Sequence, residues 1–268
     1  MSPPFIRWPV RWLRTLFDCV FGLYVLVAFV FLGVLAFLLV TLVPGLGVRS
    51  RRAIAHWAAR AFFFAAGIRV RVAGEERLPA GPCVIVANHA SYLDGVLLKA
   101  FLPARFSFVI KKEFSRVPVA GLLLRRIGSE FVDRFNRHAG GMDARRLIKA
   151  ADAGQALAFF PEGTFLATPG LGKFHTGAFV IAARVGVPVV PVAIRGTRYI
   201  LPSGRALPRL GRIDIHIFDA IETTEDADAA SVVVTTREQS RSRILTVLGE
   251  PDLSGADGIA GLAVRKSG

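Results

Sequence analysis

The sequence is short of acid: its 268 residues carry 20 Asp and Glu against 34 Lys and Arg, a formal net charge of +14. Such an excess suits an anionic leaflet, anionic lipid heads or a phosphate-bearing cofactor. Nucleic acid is the competing partner, but the chain has no zinc-finger spacing, no RNA-recognition signature and no dense Lys/Arg tract interleaved with aromatics. Arg also outnumbers Lys in an Ala-, Gly- and Val-rich chain, so part of the charge reflects composition. Only two cysteines occur, Cys19 and Cys83, far apart and in apolar surroundings. They read as buried thiols in a reducing compartment, not as a disulfide or a metal site. A Gly-x-Ser-x-Gly elbow is missing, which removes the usual nucleophile of a lipid hydrolase. There is no internal repeat and no long linker.

Charge is also absent from one long stretch. No charged residue occurs from Cys19 to Val48. About 20 apolar residues cross a hydrocarbon core of about 30 Å, so the stretch is long enough to span and too long for a signal-peptide core. A buried helix of a soluble domain is the competing reading. Arg7, Arg11 and Arg14 precede the segment, while Arg49, Arg51, Arg52 and Arg60 follow it. Basic flanks prefer the cytosolic side, and one span cannot keep both there. A hairpin bending near Gly33, with arms of about 18 Å, or a segment lying in one leaflet satisfies both. A monotopic or re-entrant anchor is therefore the expectation. From Arg49 to Ile68, Arg51, Arg52, His56 and Arg60 alternate with Ile54, Trp57, Ala61 and Phe62. This reads either as an amphipathic helix at the membrane interface or as a helix packed on the domain.

Beyond the anchor, short apolar runs alternate with helical patterns. Strands are expected at Arg69 to Val72, Cys83 to Ala87, Phe106 to Ile110, Glu130 to Val132, Leu157 to Phe160, Val189 to Ile194 and Ile213 to Phe218. Helices are expected at Leu93 to Leu102, Val119 to Ile127, Met142 to Ala153, Thr176 to Val185 and Val232 to Leu248. The alternation predicts an α/β fold, a central, largely buried mixed sheet of about seven strands flanked by helices, with an N-terminal hydrophobic membrane anchor. The expected divisions are an anchor with its interfacial helix over 1–67, one catalytic domain over 68–248 and a flexible Gly-, Ala- and Ser-rich tail over 249–268.

Chemistry concentrates at strand ends. In Asn88-His89-Ala90-Ser91-Tyr92-Leu93-Asp94, a histidine precedes an aspartate by five residues just after an apolar strand. Five helical steps of about 100° leave two side chains roughly 140° apart, so the pair meets only if His89 stands outside the helix, across a strand-to-helix turn. There Asp94 can fix the imidazole tautomer and leave His89 as a general base. The alternative is two caps without chemistry. A second block, Gly128 to Arg134, delivers Arg134 to a strand end, where its guanidinium suits a phosphate. A third, Phe159-Phe160-Pro161-Glu162-Gly163-Thr164, breaks a strand into a turn whose amides suit an anion. A fourth, Val187-Pro188-Val189-Val190-Pro191-Val192, reads as an edge or entry strand because of its prolines, with structure as its default role.

In this order the four blocks, with Lys111-Lys112-Glu113-Phe114, Asn136-Arg137 and Lys173 to Phe179, resemble the glycerolipid acyltransferase family typified by 1-acylglycerol-3-phosphate acyltransferases. The resemblance covers about residues 69 to 200. It implies that His89 is the general base and Asp94 its partner, that no acyl-enzyme forms, and that Ser91 is a cap. It further implies substrate binding by Arg134, Glu162, Gly163 and Thr164, with no metal and no cofactor. Acyl-CoA or acyl carrier protein would enter as donor substrate, and the partners would be a membrane lipid acceptor and an anionic membrane surface, not nucleic acid. The implied product is phosphatidate, made on the cytosolic face of the inner or cytoplasmic membrane. One position departs from the family: Phe165 stands where an arginine commonly follows Phe-Pro-Glu-Gly-Thr. Lys111, Lys173, Arg134 or Arg195 would have to supply the lost phosphate contact, or the acceptor is another lysolipid, such as a lysophospholipid, an acylated amino-acid lipid or a glycolipid. A hydrolase using the same His-Asp pair on water is a further alternative.

Overall fold

The computed structural model describes residues 7–133, 137–223 and 228–255. It opens with a helical pair, α1 (Arg7–Leu42) and α2 (Val48–Ala65), which pack on one another. The expected bend at Gly33 does not occur, because α1 is continuous. One interior glycine costs a helix about 1 kcal/mol relative to alanine, too little to break a long apolar run. The chain reverses after Pro44 instead, where Gly45 adopts φ +75°.

The anchor does not stand clear of the rest. Val25, Ala36 and Val40 of α1 are buried, and Val40 packs with Ala55 and Ile127. Nearer its start, Asp18 lies 3.4 Å from Arg205 and 3.5 Å from Arg209. Gly22 sits so close to residues 207–208 that a Cβ there would lie 2.7 Å from that of Leu207. Helix α2 packs on the domain through Ala55, Ala59, Phe62 and Phe63 while leaving Trp57 and Phe64 exposed. Its Arg52 donates to the carbonyls of Ile127, Gly128 and Arg105 at 2.9, 3.1 and 2.8 Å. Burial lowers the pKa of that guanidinium, an effect opposed by Glu130.

The sheet contains β1 (Arg69–Ala73), β2 (Val84–Ala87), β3 (Ser107–Lys111), β4 (Glu130–Val132), β5 (Leu157–Phe159), β6 (Val189–Arg195) and β7 (Arg212–Ile217). Its spatial order is β1-β7-β6-β2-β5-β3-β4, with every pairing parallel except β6 with β7. The expected α/β fold with a mixed sheet is therefore found. Strand β2 is buried at every residue, as a central parallel strand covered on both faces must be. Alternate residues feed two cores. Ile85, Ala87, Val190 and Val192 join Phe62, Phe63 and the helix α3 (Leu93–Phe101). Val84, Val86, Leu157 and Val189 face α5 (Arg137–Asp152), α6 (Gly177–Val185) and α8 (Ala229–Leu248). The remaining helices among the described residues are α4 (Ala120–Arg126), the single turn α7 (Thr197–Ile200) and two short 3-10 segments at Glu75–Arg77 and Lys112–Arg116.

Three expectations need correction. The proline-bearing β6 is not an edge strand, since it lies between β2 and β7. Val192 faces Ile217 but Val189 faces Ile221, so one extra residue intervenes opposite Pro191. A bulge of that kind accommodates a residue without an N–H. Residues 249–255 are not tail: Leu253 N–H donates to the Leu171 carbonyl at 2.9 Å, and Arg241 pairs with Asp252 at 2.5 Å. The rest of the expected tail, 256–268, lies outside the described residues. Cys83 is buried, which pushes its thiol up to about 11, whereas Cys19 is exposed on α1.

Candidate active site

Parallel pairing brings the C-terminal ends of β2, β5 and β6 to one edge of the sheet, the usual place for a site in such folds. Strand β2 ends at Ala87 and α3 begins at Leu93, so His89 stands in the intervening turn, outside the helix. Asn88 fixes that turn to the neighbouring strand. Its amide donates to the Ile194 carbonyl at 3.0 Å and accepts from the Ile194 N–H at 2.7 Å.

His89 Nδ1 donates to Asp94 Oδ2 at 2.9 Å. The same oxygen accepts the N–H groups of Ala90 at 2.6 Å and Ser91 at 2.8 Å. Asp94 is fully buried in the first turn of α3, where the positive end of the helix favours a carboxylate. Its Oδ1 is buried without a hydrogen-bond partner among the described residues. With the proton on Nδ1, Nε2 presents a lone pair and has no partner among the described residues. The imidazole stacks on Phe160, centroids 4.3 Å apart, and meets the edge of Phe165 at 4.8 Å. Tyr92 also meets the Phe165 ring, nearly perpendicular at 4.7 Å. Ser91 is fully buried; its Oγ donates to the Leu201 carbonyl at 2.7 Å and accepts from Leu93 N–H at 3.2 Å.

Glu162, read from sequence as a substrate contact, meets the protein's own backbone. Its Oε1 accepts the His89 N–H at 2.7 Å and its Oε2 the Gly172 N–H at 2.8 Å. Burial raises its pKa, and the two amides pull the other way. It braces the His89 turn against the 160–176 segment, and Gly163, at φ +80°, lets the chain turn there. Two arginines hold that segment from behind. Arg198 donates to the Leu166 carbonyl at 2.6 Å, and Arg241 donates to that of Gly172.

The structure thus brings His89, Asp94 and Glu162 together. Thr164 and Lys173 are exposed on the 160–176 segment. Lys111 ends β3, 3.6 Å from Glu113. Arg134 and Asn136 lie outside the described residues. The aromatic walls around His89 and the Asn88 clamp were not anticipated. Asn88 sits inside the motif, but its partner is 106 residues away, and no local pattern announces such a contact.

The profile of the Acyltransferase family matches residues 69–195. The chain is 37% identical over 135 residues to the 1-acyl-sn-glycerol-3-phosphate acyltransferase BAT2, chloroplastic, of Brassica napus, covering 50% of this chain and 39% of that protein. It is 30% identical over 219 residues to the 1-acyl-sn-glycerol-3-phosphate acyltransferase beta of Homo sapiens, covering 78% of this chain and 77% of that one. The lyso-ornithine lipid O-acyltransferase of Pseudomonas aeruginosa is 35% identical over 177 residues, 64% of this chain and 65% of its own. In fold, the chain is similar to the crystal structure of the 1-acyl-sn-glycerophosphate (LPA) acyltransferase PlsC from Thermotoga maritima. The TM-score is 0.66 at 24% identity, over 86% of this chain and 97% of that one. The chain spans two fifths to one half of the length of the plant and algal relatives it matches.

Proposed function

From the premise that this chain belongs to the acyltransferase family, we propose that it moves a fatty acyl group from a thioester donor to the free sn-2 hydroxyl of 1-acylglycerol 3-phosphate, giving phosphatidate. The observation that carries the reading is the 2.9 Å bond from His89 Nδ1 to Asp94 Oδ2, which leaves Nε2 unpartnered among the described residues.

In this mechanism Nε2 takes the proton of the acceptor hydroxyl as its oxygen attacks the thioester carbonyl. Asp94 stabilises the imidazolium that forms. Collapse of the tetrahedral species breaks the C–S bond, and the proton returns from His89 to the departing thiolate. General-base assistance of this kind supplies roughly 10²- to 10⁴-fold. Ser91 takes no part, because its buried hydroxyl is already committed to Leu201 and Leu93. Phe160 covers one face of the imidazole and Phe165 packs against it at a steep angle, which limits the approach of water.

Helix α1 supports a place at the membrane. Its apolar stretch Trp12–Leu42 is 31 residues long, and only 17% of its most apolar window is buried within the chain. At 1.5 Å per residue it extends roughly 46 Å, long enough to cross a bilayer. Contacts near Asp18 and again at Val40 tie it to the catalytic domain along its length, which favours a helix lying in one leaflet over a free-standing span. The catalytic domain then faces the cytosol, where acyl-CoA and acyl carrier protein reside.

Phe165 favours a second reading, in which the acceptor is a lysolipid without a phosphate at that position, such as an acylated amino-acid lipid. The 35% identity to a protein named lyso-ornithine lipid O-acyltransferase supports it. The test is acyl transfer by the purified full chain. The expected result is phosphatidate from lysophosphatidate with acyl-CoA or acyl carrier protein. No transfer with either donor overturns the first reading, and preference for another acceptor in a mass-resolved lipid panel establishes the second.

A further inference from the structure

Leu166, Gly170, Leu171 and Gly172, on the segment between β5 and α6, are all held by residues from later in the chain. Arg198, in the α7 turn, donates from Nη1 to the Leu166 carbonyl at 2.6 Å. Its other nitrogens form a fork on Glu250, Nε to Oε1 at 3.0 Å and Nη2 to Oε2 at 3.1 Å. Glu250 Oε2 also accepts the Gly170 N–H at 2.7 Å. Leu171 then pairs with the chain that follows α8: its N–H donates to the Pro251 carbonyl and its carbonyl accepts the Leu253 N–H, both at 2.9 Å. The Gly172 carbonyl accepts from Arg241, which is buried and pairs with Asp252. A side chain at Gly170 would collide with Leu253, so the two stretches lie in close contact. The fork is well placed to hold them. The Arg198 and Glu250 side chains are only 14% and 21% exposed, so salt screens the pair less than it would at a surface, and two-point geometry fixes direction as well as distance.

The same segment carries two groups that touch the His89 turn. Phe165 precedes Leu166, and its ring meets the imidazole. Glu162 takes the Gly172 N–H on one oxygen and the His89 N–H on the other. The His175 N–H returns to the Pro161 carbonyl at 2.9 Å and closes the segment on itself. The anchors at Leu166 and Gly172 are therefore each one step, covalent or hydrogen-bonded, from a side chain in contact with His89. Arg198, Arg241 and residues 250–253 all fall beyond the stretch that the family profile matches, 69–195. This support is thus separate from the blocks that carry the chemistry.

We infer that Glu250 is a positioning residue for His89. Through Arg198 and Gly170 it fixes the shape of the 160–176 segment, and through Phe165 and Glu162 that shape fixes the imidazole and its backbone. The inference rests on the transfer reading above, and it places a determinant of turnover far from the base in sequence.

The test has two arms, both on the full chain. Glu250→Gln keeps the size of the side chain and an acceptor oxygen but gives up its charge. In the first arm, amide hydrogen exchange in this variant should quicken in peptides spanning 166–172 and also in those spanning 88–91, where the amides of His89, Ala90 and Ser91 bond to Glu162 and Asp94. Ile244→Val, which trims the buried core beneath α8, is the control: it should lower the melting midpoint and leave 88–91 unmoved. Faster exchange confined to 166–172 makes the fork a local brace and overturns the proposal, as does a change at 88–91 of the same size in the control. In the second arm, Glu250→Gln should lower kcat roughly ten-fold, a fraction of the 10²-fold that a 1 Å misplacement can cost, while both KM values stay within about three-fold. Arg198→Gln should do likewise, and the double variant should lose no more than the worse single, because the two residues act as one unit. Unchanged kcat with only a lower melting midpoint overturns the positioning role, and so do losses that simply add. Absence of transfer by the unaltered chain from any donor would sink the function proposed above, and exchange at 88–91 would still decide the role of Glu250.

Discussion

The ring of Phe165 stands edge-on to the imidazole of His89, their centroids 4.8 Å apart. An arginine at this position would place a guanidinium beside that imidazole, and the phenylalanine places a hydrocarbon ring there. Phe165→Arg should therefore raise kcat/KM for 1-acylglycerol 3-phosphate relative to an acylated amino-acid acceptor by about ten-fold, one charged hydrogen bond's worth. Competition between the two acceptors in one vesicle preparation measures the ratio, and a ratio that stays put removes Phe165 from acceptor choice.

His89→Ala and Asp94→Asn should each lower kcat by at least about 10²-fold. Asparagine retains an oxygen for the amides of Ala90 and Ser91 but cannot stabilise an imidazolium by charge. Its loss should therefore appear in turnover more than in the melting temperature. Activity within a few-fold of wild type in either variant would show that the pair is a structural cap.

Ser91→Ala separates direct transfer from an acyl-enzyme route. It should retain most of the transfer activity while lowering stability by about 1–3 kcal/mol, because the Leu201 carbonyl loses its donor. A fall to the level of His89→Ala would indicate a serine nucleophile.

Glu162→Gln should lower kcat by roughly 10- to 100-fold by loosening the backbone of His89, with less effect on substrate affinity. Its pH signature has a definite sign. Burial raises the carboxyl pKa, so the native state keeps that proton to higher pH than the unfolded chain does. The contribution to stability is complete below the unfolded carboxylate value, about 4.3, and is lost as pH rises through the native pKa. The melting-temperature difference, wild type minus Glu162→Gln, should fall across that window and then level off; a difference that rises with pH would contradict the assignment.

Gly22→Ala tests how α1 seats on the domain. Alanine improves a helix interior by about 0.5–1 kcal/mol, but its Cβ would lie 2.7 Å from that of Leu207. Overpacking costs about 1–3 kcal/mol, so the net effect should be destabilising. Faster proteolysis within residues 201–211 in detergent is the expected readout, and a slower cut would reverse the sign.

What could be read from sequence was local. Seven strands stand where apolar runs bounded by Gly and Pro placed them, and the His89–Asp94 contact closes within five residues. What escaped depends on distant partners. Glu162 reaches the backbone of His89 across 73 residues, so its bracing contact could not be read from the local turn. Pro191 suggested an edge because the bulge that accommodates it is formed jointly with residues 217–221. The uncharged stretch was legible as an anchor, but its unbroken course was not, since an isolated glycine carries little weight against so long an apolar run. Residues 249–255 looked like tail by composition, and their place is set by Leu171, Arg198 and Arg241.

Helix α1 meets the catalytic domain near both Asp18 and Val40, so no tether separates the leaflet from the chemistry. With the leaflet placement and lipid acceptor proposed above, encounter with substrate becomes a two-dimensional search, and the quantity that sets turnover is the fraction of surrounding lipid molecules that are acceptors, not their amount per volume of solution. Diluting the acceptor with inert lipid at constant bulk concentration should slow the reaction as surely as removing it.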